Sequence, residues 1–79
     1  MPLVAIPVAE QRAILESNLY NFQYTRYQHV LNLELAEELH DQAAIEYNTK
    51  CIAELDVAIA FTEKKIAELP PEGTVTVNR

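Results

Sequence analysis

Two small constellations in this 79-residue chain carry residue types that can do chemistry. The first is Glu37-Glu38-Leu39-His40. Glu-x-x-His sets a carboxylate and an imidazole one helical turn apart. Di-iron four-helix bundles hold their metals with this spacing, completed by Glu from neighbouring helices. Glu34, one turn before Glu37, would add a donor, and dimerisation would double the set. A complete centre also needs inward-facing acids on the opposing helix, and the stripe available there is Ile and Leu. A solvated acidic helix end, with His40 favoured near the negative pole of the helix, accounts for the same residues. A di-metal, ferritin-like site at Glu34, Glu37 and His40 is therefore an alternative reading, and the leading reading has no cofactor.

The second constellation is aromatic. Tyr20, Tyr24 and Tyr27 share one side of a helix, with Arg26 and His29 nearby and Tyr47 further on. Tyr and Arg dominate protein–protein hot spots because they combine large contact area with a polar tip. Stacking on nucleobases is another use of aromatics, but it needs a basic surround. The net charge is −6, and the six Lys and Arg residues are scattered apart from Lys64-Lys65. Phosphate neutralisation has no basis here, so neither nucleic acid nor an anionic membrane surface is expected as a partner.

Nucleophilic catalysis finds no support. The chain has a single serine, Ser17, placed on a helix, and a single cysteine, Cys51, with no activating neighbour in the sequence. His29 has no recognisable nucleophile to serve. With one glycine, Gly73, there is no phosphate-cradling loop. The chain reads as a non-enzyme.

The elements that position these residues follow from where helix breakers fall. Between Val8 and Leu69 there is neither Gly nor Pro, which predicts helix almost throughout. Pro7 suits a first helical turn and Pro70-Pro71 stop the second helix. In the second half Ile45, Asn48, Ile52, Leu55, Ile59, Thr62, Ile66 and Leu69 alternate steps of three and four, a coiled-coil-like seam. Extended backwards, the frame meets Glu34, Glu38 and Asp41, which cannot continue it. The chain should therefore break near 39–42, with Asp41 as N-cap of the second helix. The expected fold is all-α: two long antiparallel helices at about 8–39 and 42–69 form a hairpin. Short extended arms flank it at 1–7 and 70–79. One continuous helix over 8–69, roughly 90 Å long at 1.5 Å per residue, is the alternative.

The first helix has two apolar stripes, one through Leu15, Leu19, Phe22, Val30 and Leu33, the other through Tyr20, Tyr24, Tyr27, Leu31 and Leu35. A helix contacted from one side needs one stripe. The second helix can cover one; something outside the hairpin must cover the other. Val57 and Phe61, one turn apart and off the seam, add a second outward patch, with Ala53, Ala60 and Ala67 repeating beside the seam. The candidate interface is thus Leu15, Leu19, Tyr20, Phe22, Tyr24, Tyr27, Val57 and Phe61.

A chain this short buries only roughly 60% of its unfolded surface and usually needs a disulfide, a metal or association. One cysteine permits no internal disulfide. Leu3, Val4 and Ile6 form an apolar arm, and Thr74-Val75-Thr76-Val77 alternates as a strand that could join a partner's sheet edge. No stretch is long and apolar enough for a membrane span, and 1–9 lacks the basic region of a signal peptide. A cytoplasmic location, or one inside a macromolecular particle, is expected. In architecture alone the plan resembles small helical-hairpin subunits of virions and phage particles. The leading expectation is a structural or assembly subunit, a homo-oligomer or a piece docked on a larger complex. A small regulatory or inhibitor protein that binds an unrelated protein through the tyrosine face is the alternative in a second class.

Overall fold

In the computed structural model, residues 5–71 and 75–77 are described. The chain runs β1 (Ala5–Pro7), α1 (Val8–Glu38), α2 (Gln42–Ala67) and β2 (Val75–Val77). The helices have 31 and 26 residues and lie side by side as a hairpin. The longest dimension is 52 Å, close to one long helix and far short of the roughly 90 Å of a continuous one. The continuous-helix alternative is thereby set aside.

The break falls where three acids interrupt the seam. Leu39 caps α1, and His40 adopts a left-handed backbone with φ 53°. The His40 N–H donates to Glu37 O at 3.2 Å and the Asp41 N–H to Ala36 O at 2.9 Å. These two bonds make a complete Schellman closure, which satisfies carbonyls the helix end would otherwise leave open. Asp41 is already extended, and its Oδ1 accepts from the Ala44 N–H at 3.2 Å. One residue thus ends the first helix and the next begins the second, without any glycine.

At the open end, Pro7 is not in the first turn as expected but directly before it, with φ −54° and ψ 142°. Its extended backbone continues β1, which pairs antiparallel with β2 through Ala5–Val77, Ile6–Thr76 and Pro7–Val75. The alternating tail therefore meets the chain's own N-terminal arm rather than an outside sheet edge. Gln11 Nε2 donates to Ile6 O at 2.7 Å, fastening the arm to the first turn of α1. Val8, beneath this junction, is fully buried. Leu3, Val4 and Thr74 lie outside the described residues. α2 ends at Ala67, two residues before the expected limit. Leu69 follows past the Glu68 cap, half-buried, with its N–H on Ile66 O at 3.1 Å.

The helices meet along two seams of matched period. On α2 it runs from Ile45 to Leu69, and its polar members Asn48 and Thr62 are the most enclosed, at 6% and 3% exposure. On α1 every step of four and three from Val8 through Arg12, Leu15, Leu19, Phe22, Arg26, His29 and Leu33 to Ala36 is buried or half-buried. Val8 and Ala36, at the two ends, are its fully enclosed apolar residues. Between them the seam is half-open, as two helices alone must be.

Candidate interaction surface

The inner seam holds polar residues, each with a partner. His29 Nδ1 lies 2.8 Å from Asn48 Oδ1, and Asn48 Nδ2 donates to Ala44 O at 2.8 Å. The amide is thereby fixed with its oxygen toward the imidazole, so Nδ1 carries the proton and donates. Thr62 Oγ1 donates to Ala58 O at 2.8 Å, which satisfies its hydroxyl inside its own helix. Arg26 Nε donates to Asp56 Oδ1 at 2.6 Å at the edge of the seam. Among the described residues no buried side-chain polar atom lacks a hydrogen-bond partner.

Outward, the distribution reverses. Among the described residues ten large apolar or aromatic side chains stand exposed, including Tyr24 at 57%, Phe61 at 59% and Val57 at 71%. Of the candidate interface residues, Leu15, Leu19 and Phe22 are half-buried on the inner seam, whereas Tyr20, Tyr24, Tyr27, Val57 and Phe61 are exposed. At 3.6 residues per turn, Tyr20, Tyr24, Tyr27 and Leu31 fall almost diametrically opposite the α1 seam. The stripe is therefore on the back of α1, out of reach of α2. Tyr20 and Tyr24 rings tilt against each other with centroids 6.2 Å apart.

A second apolar surface lies on one broad side of the hairpin, where two open grooves form between the helices. The larger, about 470 Å³, is lined by Leu15, Phe22, Val57 and Phe61 with Asn18 and Glu54 at its walls. The Lys65 ammonium sits over the Phe61 ring, 5.6 Å from its centroid, in a cation–π contact. The smaller, about 290 Å³, lies at the turn between Leu35, Leu39 and Tyr47, with Asp41 at its rim. Here the His29 and Tyr47 rings meet edge to face at 6.1 Å. Cys51, half-buried, lies one turn from Tyr47. A hydrogen bond to the Cys51 thiol, with Coulombic repulsion from that group, raises the Tyr47 phenol above its ordinary value. Exposed Ala53, Ala60 and Ala67 lie away from these grooves.

Glu34, Glu37 and His40 do not assemble. His40 has left the helix through its left-handed turn, so the one-turn relation that Glu-x-x-His requires is lost. Among the described residues no group of three or more His, Cys, Asp or Glu side chains comes close enough to hold a metal ion. No described helix is long and apolar enough to cross a membrane.

Sequence reasoning missed the inward role of Val8, Arg12, Arg26, His29 and Ala36. The signal was present as an unbroken alternation of four and three, hidden because polar residues occupy apolar positions. It also missed that Tyr47, Leu35 and Leu39 close on one groove. Comparison with protein-family models, with curated proteins and with solved structures gives no match for this chain.

Proposed function

We propose that this protein is a non-enzymatic assembly subunit, a helical hairpin that associates with copies of itself and presents the tyrosine stripe as a further contact surface to a larger body. The observation that supports this reading is a large total surface on which large apolar side chains stand exposed. The chain exposes 5881 Å² at 9.0 kDa, whereas compact monomers of that mass expose roughly 4,850 Å². The excess of about 1,000 Å² matches what one partner contributes to a standard protein–protein interface, roughly 800 Å². Among the described residues, large Tyr, Leu, Ile, Val and Phe side chains stand exposed, and monomers rarely leave such residues in contiguous patches.

Sedimentation velocity across a concentration series tests the reading. A helical species of at least two chains at micromolar concentration is the expected result. A well-folded monomer persisting to about 100 µM, where even weak assemblies form, would overturn it.

A further inference from the structure

We propose that a second copy of this chain covers the broad side carrying both grooves, antiparallel to the first, so that the turn of one hairpin meets the open end of the other in a four-helix layer. This rests on the assembly reading above and names the surface and orientation by which the copies meet.

Charge singles out this side. Its α1 rim steps by three and four from Gln11 to Leu39 without a single charged residue. Its α2 rim steps in the same way from Ala44 to Lys65 and holds two charges, Glu54 and Lys65, of opposite sign. The sequence has twelve Asp and Glu against six Lys and Arg, so a face this neutral is a marked departure from the rest of the surface. A basic partner would be drawn to the other side, where Glu16, Glu34 and Glu63 project. A neutral face suits a copy of the same acidic chain, which must approach without like-charge repulsion.

The shape is self-complementary. A two-fold interface needs each copy to present both halves of the contact on one patch. Here one end offers Val57 and Phe61 beside an open groove, and the other offers Leu35, Leu39 and Tyr47 around a smaller one. Between them the α1 rim is amide-rich, with Asn21 and Gln28, residues that pair with themselves across an axis. The molecule's two longer extents are 52 and 25 Å, enough for a side that supplies the roughly 800 Å² a standard interface takes from each partner. Orientation follows from the two ends. Lys65 lies at the open end and Asp41 at the rim of the turn groove. Antiparallel packing brings Lys65 toward the partner's acidic turn; parallel packing would bring the two Lys65 ammonium groups together.

The tyrosine stripe is the rival surface for self-pairing. Glu16, Glu34 and Glu38 border it on one side, and the basic residues of α1, Arg12 and Arg26, lie on the seam instead. Two copies joined there would set rows of carboxylates against each other.

The native Cys51 makes the test direct, because it is the single thiol and lies on the proposed face. The untagged protein is treated with a short-spacer bismaleimide, and sedimentation is repeated for Phe61→Glu and Tyr47→Glu, each checked for helicity by circular dichroism. Expected are efficient covalent dimers through Cys51, and dimerisation weakened at least about a hundredfold by either substitution, since each is counted twice across a two-fold axis. Pairing through the tyrosine stripes would place both α1 helices between the two α2 helices, which then lie three interaxial spacings or roughly 24–30 Å apart with their thiols. If the wild type associates yet gives no Cys51 cross-link, or if Tyr24→Glu dissociates it while both groove variants stay dimeric, the inference falls and the assembly reading stands. If the wild type is monomeric, both fall.

Discussion

His40 is where the chain pays for turning without glycine, and replacing it gives a quantitative test of the turn. Its φ of 53° places a residue with a Cβ in the left-handed region. That conformation costs roughly 1–2 kcal/mol for a residue other than glycine. Glycine removes the cost but loses about 0.5–1 kcal/mol through the greater freedom of the unfolded chain. His40→Gly should therefore stabilise the hairpin by about 0.5–1 kcal/mol. For a chain of this size the melting temperature should rise by roughly 2–8 °C. His40→Val, β-branched and most averse to positive φ, should lower it. The side chain of His40 is exposed, so lost contacts do not confound the comparison. The assay is thermal circular dichroism at one fixed protein concentration, because association raises Tm by mass action. A Tm for His40→Gly at or below wild type, or a neutral His40→Val, would refute the Schellman geometry at this turn.

The His29–Asn48 pair should show a coupling of about 0.5–1.5 kcal/mol in a double-mutant cycle with alanine, read by urea denaturation; additive single effects would mean the 2.8 Å contact contributes nothing. Arg26→Ala should cost less than about 1 kcal/mol, and the loss should shrink in high salt, since the Asp56 ion pair is 40% and 54% exposed on its two side chains. Cys51→Ala should let the Tyr47 phenol fall back toward its ordinary value, followed by ultraviolet titration with Tyr47→Phe as the subtraction control. Because the folded value is the raised one, any contribution of this contact to stability is present at neutral pH and fades as pH rises through the phenol's titration.

The hairpin was legible because its signals are local. The absence of Gly and Pro over 8–69 demanded helix, the acids at Glu34, Glu38 and Asp41 ended one seam, and Asp41 had the side chain to start the next. The α2 seam was legible for the same reason, since Ile recurs at every other position of it. The α1 seam was not. Arg12, Arg26 and His29 occupy positions that pattern reading assigns to solvent, and the facing Asp56 and Asn48 make the positions of Arg26 and His29 habitable. Such pairings are long-range, and hydropathy in a single strip of sequence does not contain them. The junction of the two arms was hidden likewise, since pairing Ile6 with Thr76 depends on the hairpin first bringing both ends to one place. Of the candidate surfaces, the tyrosine stripe followed from periodicity alone. The groove face needed both helices placed, because its residues come from opposite halves of the chain.

The hairpin sets several polar residues into an otherwise apolar contact line and leaves large apolar and aromatic side chains outside it. Its contact line holds Arg26, His29, Asn48 and Thr62, while Tyr20, Tyr24, Leu35 and Phe61 face outward. Polar seam residues cost stability and define register, as a single buried Asn does in coiled coils. Here the His29–Asn48 bond links one position of α1 to one of α2, and a slip by one turn would leave His29 Nδ1 and Asn48 Oδ1 without each other in the seam. The hairpin thereby acquires a fixed alignment from its interior, and under the proposed assembly role further apolar burial would come from its exterior. A subunit that sets its shape with its own polar contacts and gains stability from a neighbour is suited to ordered assembly. Outer surfaces already held in one geometry would keep the ordering cost of such an association small.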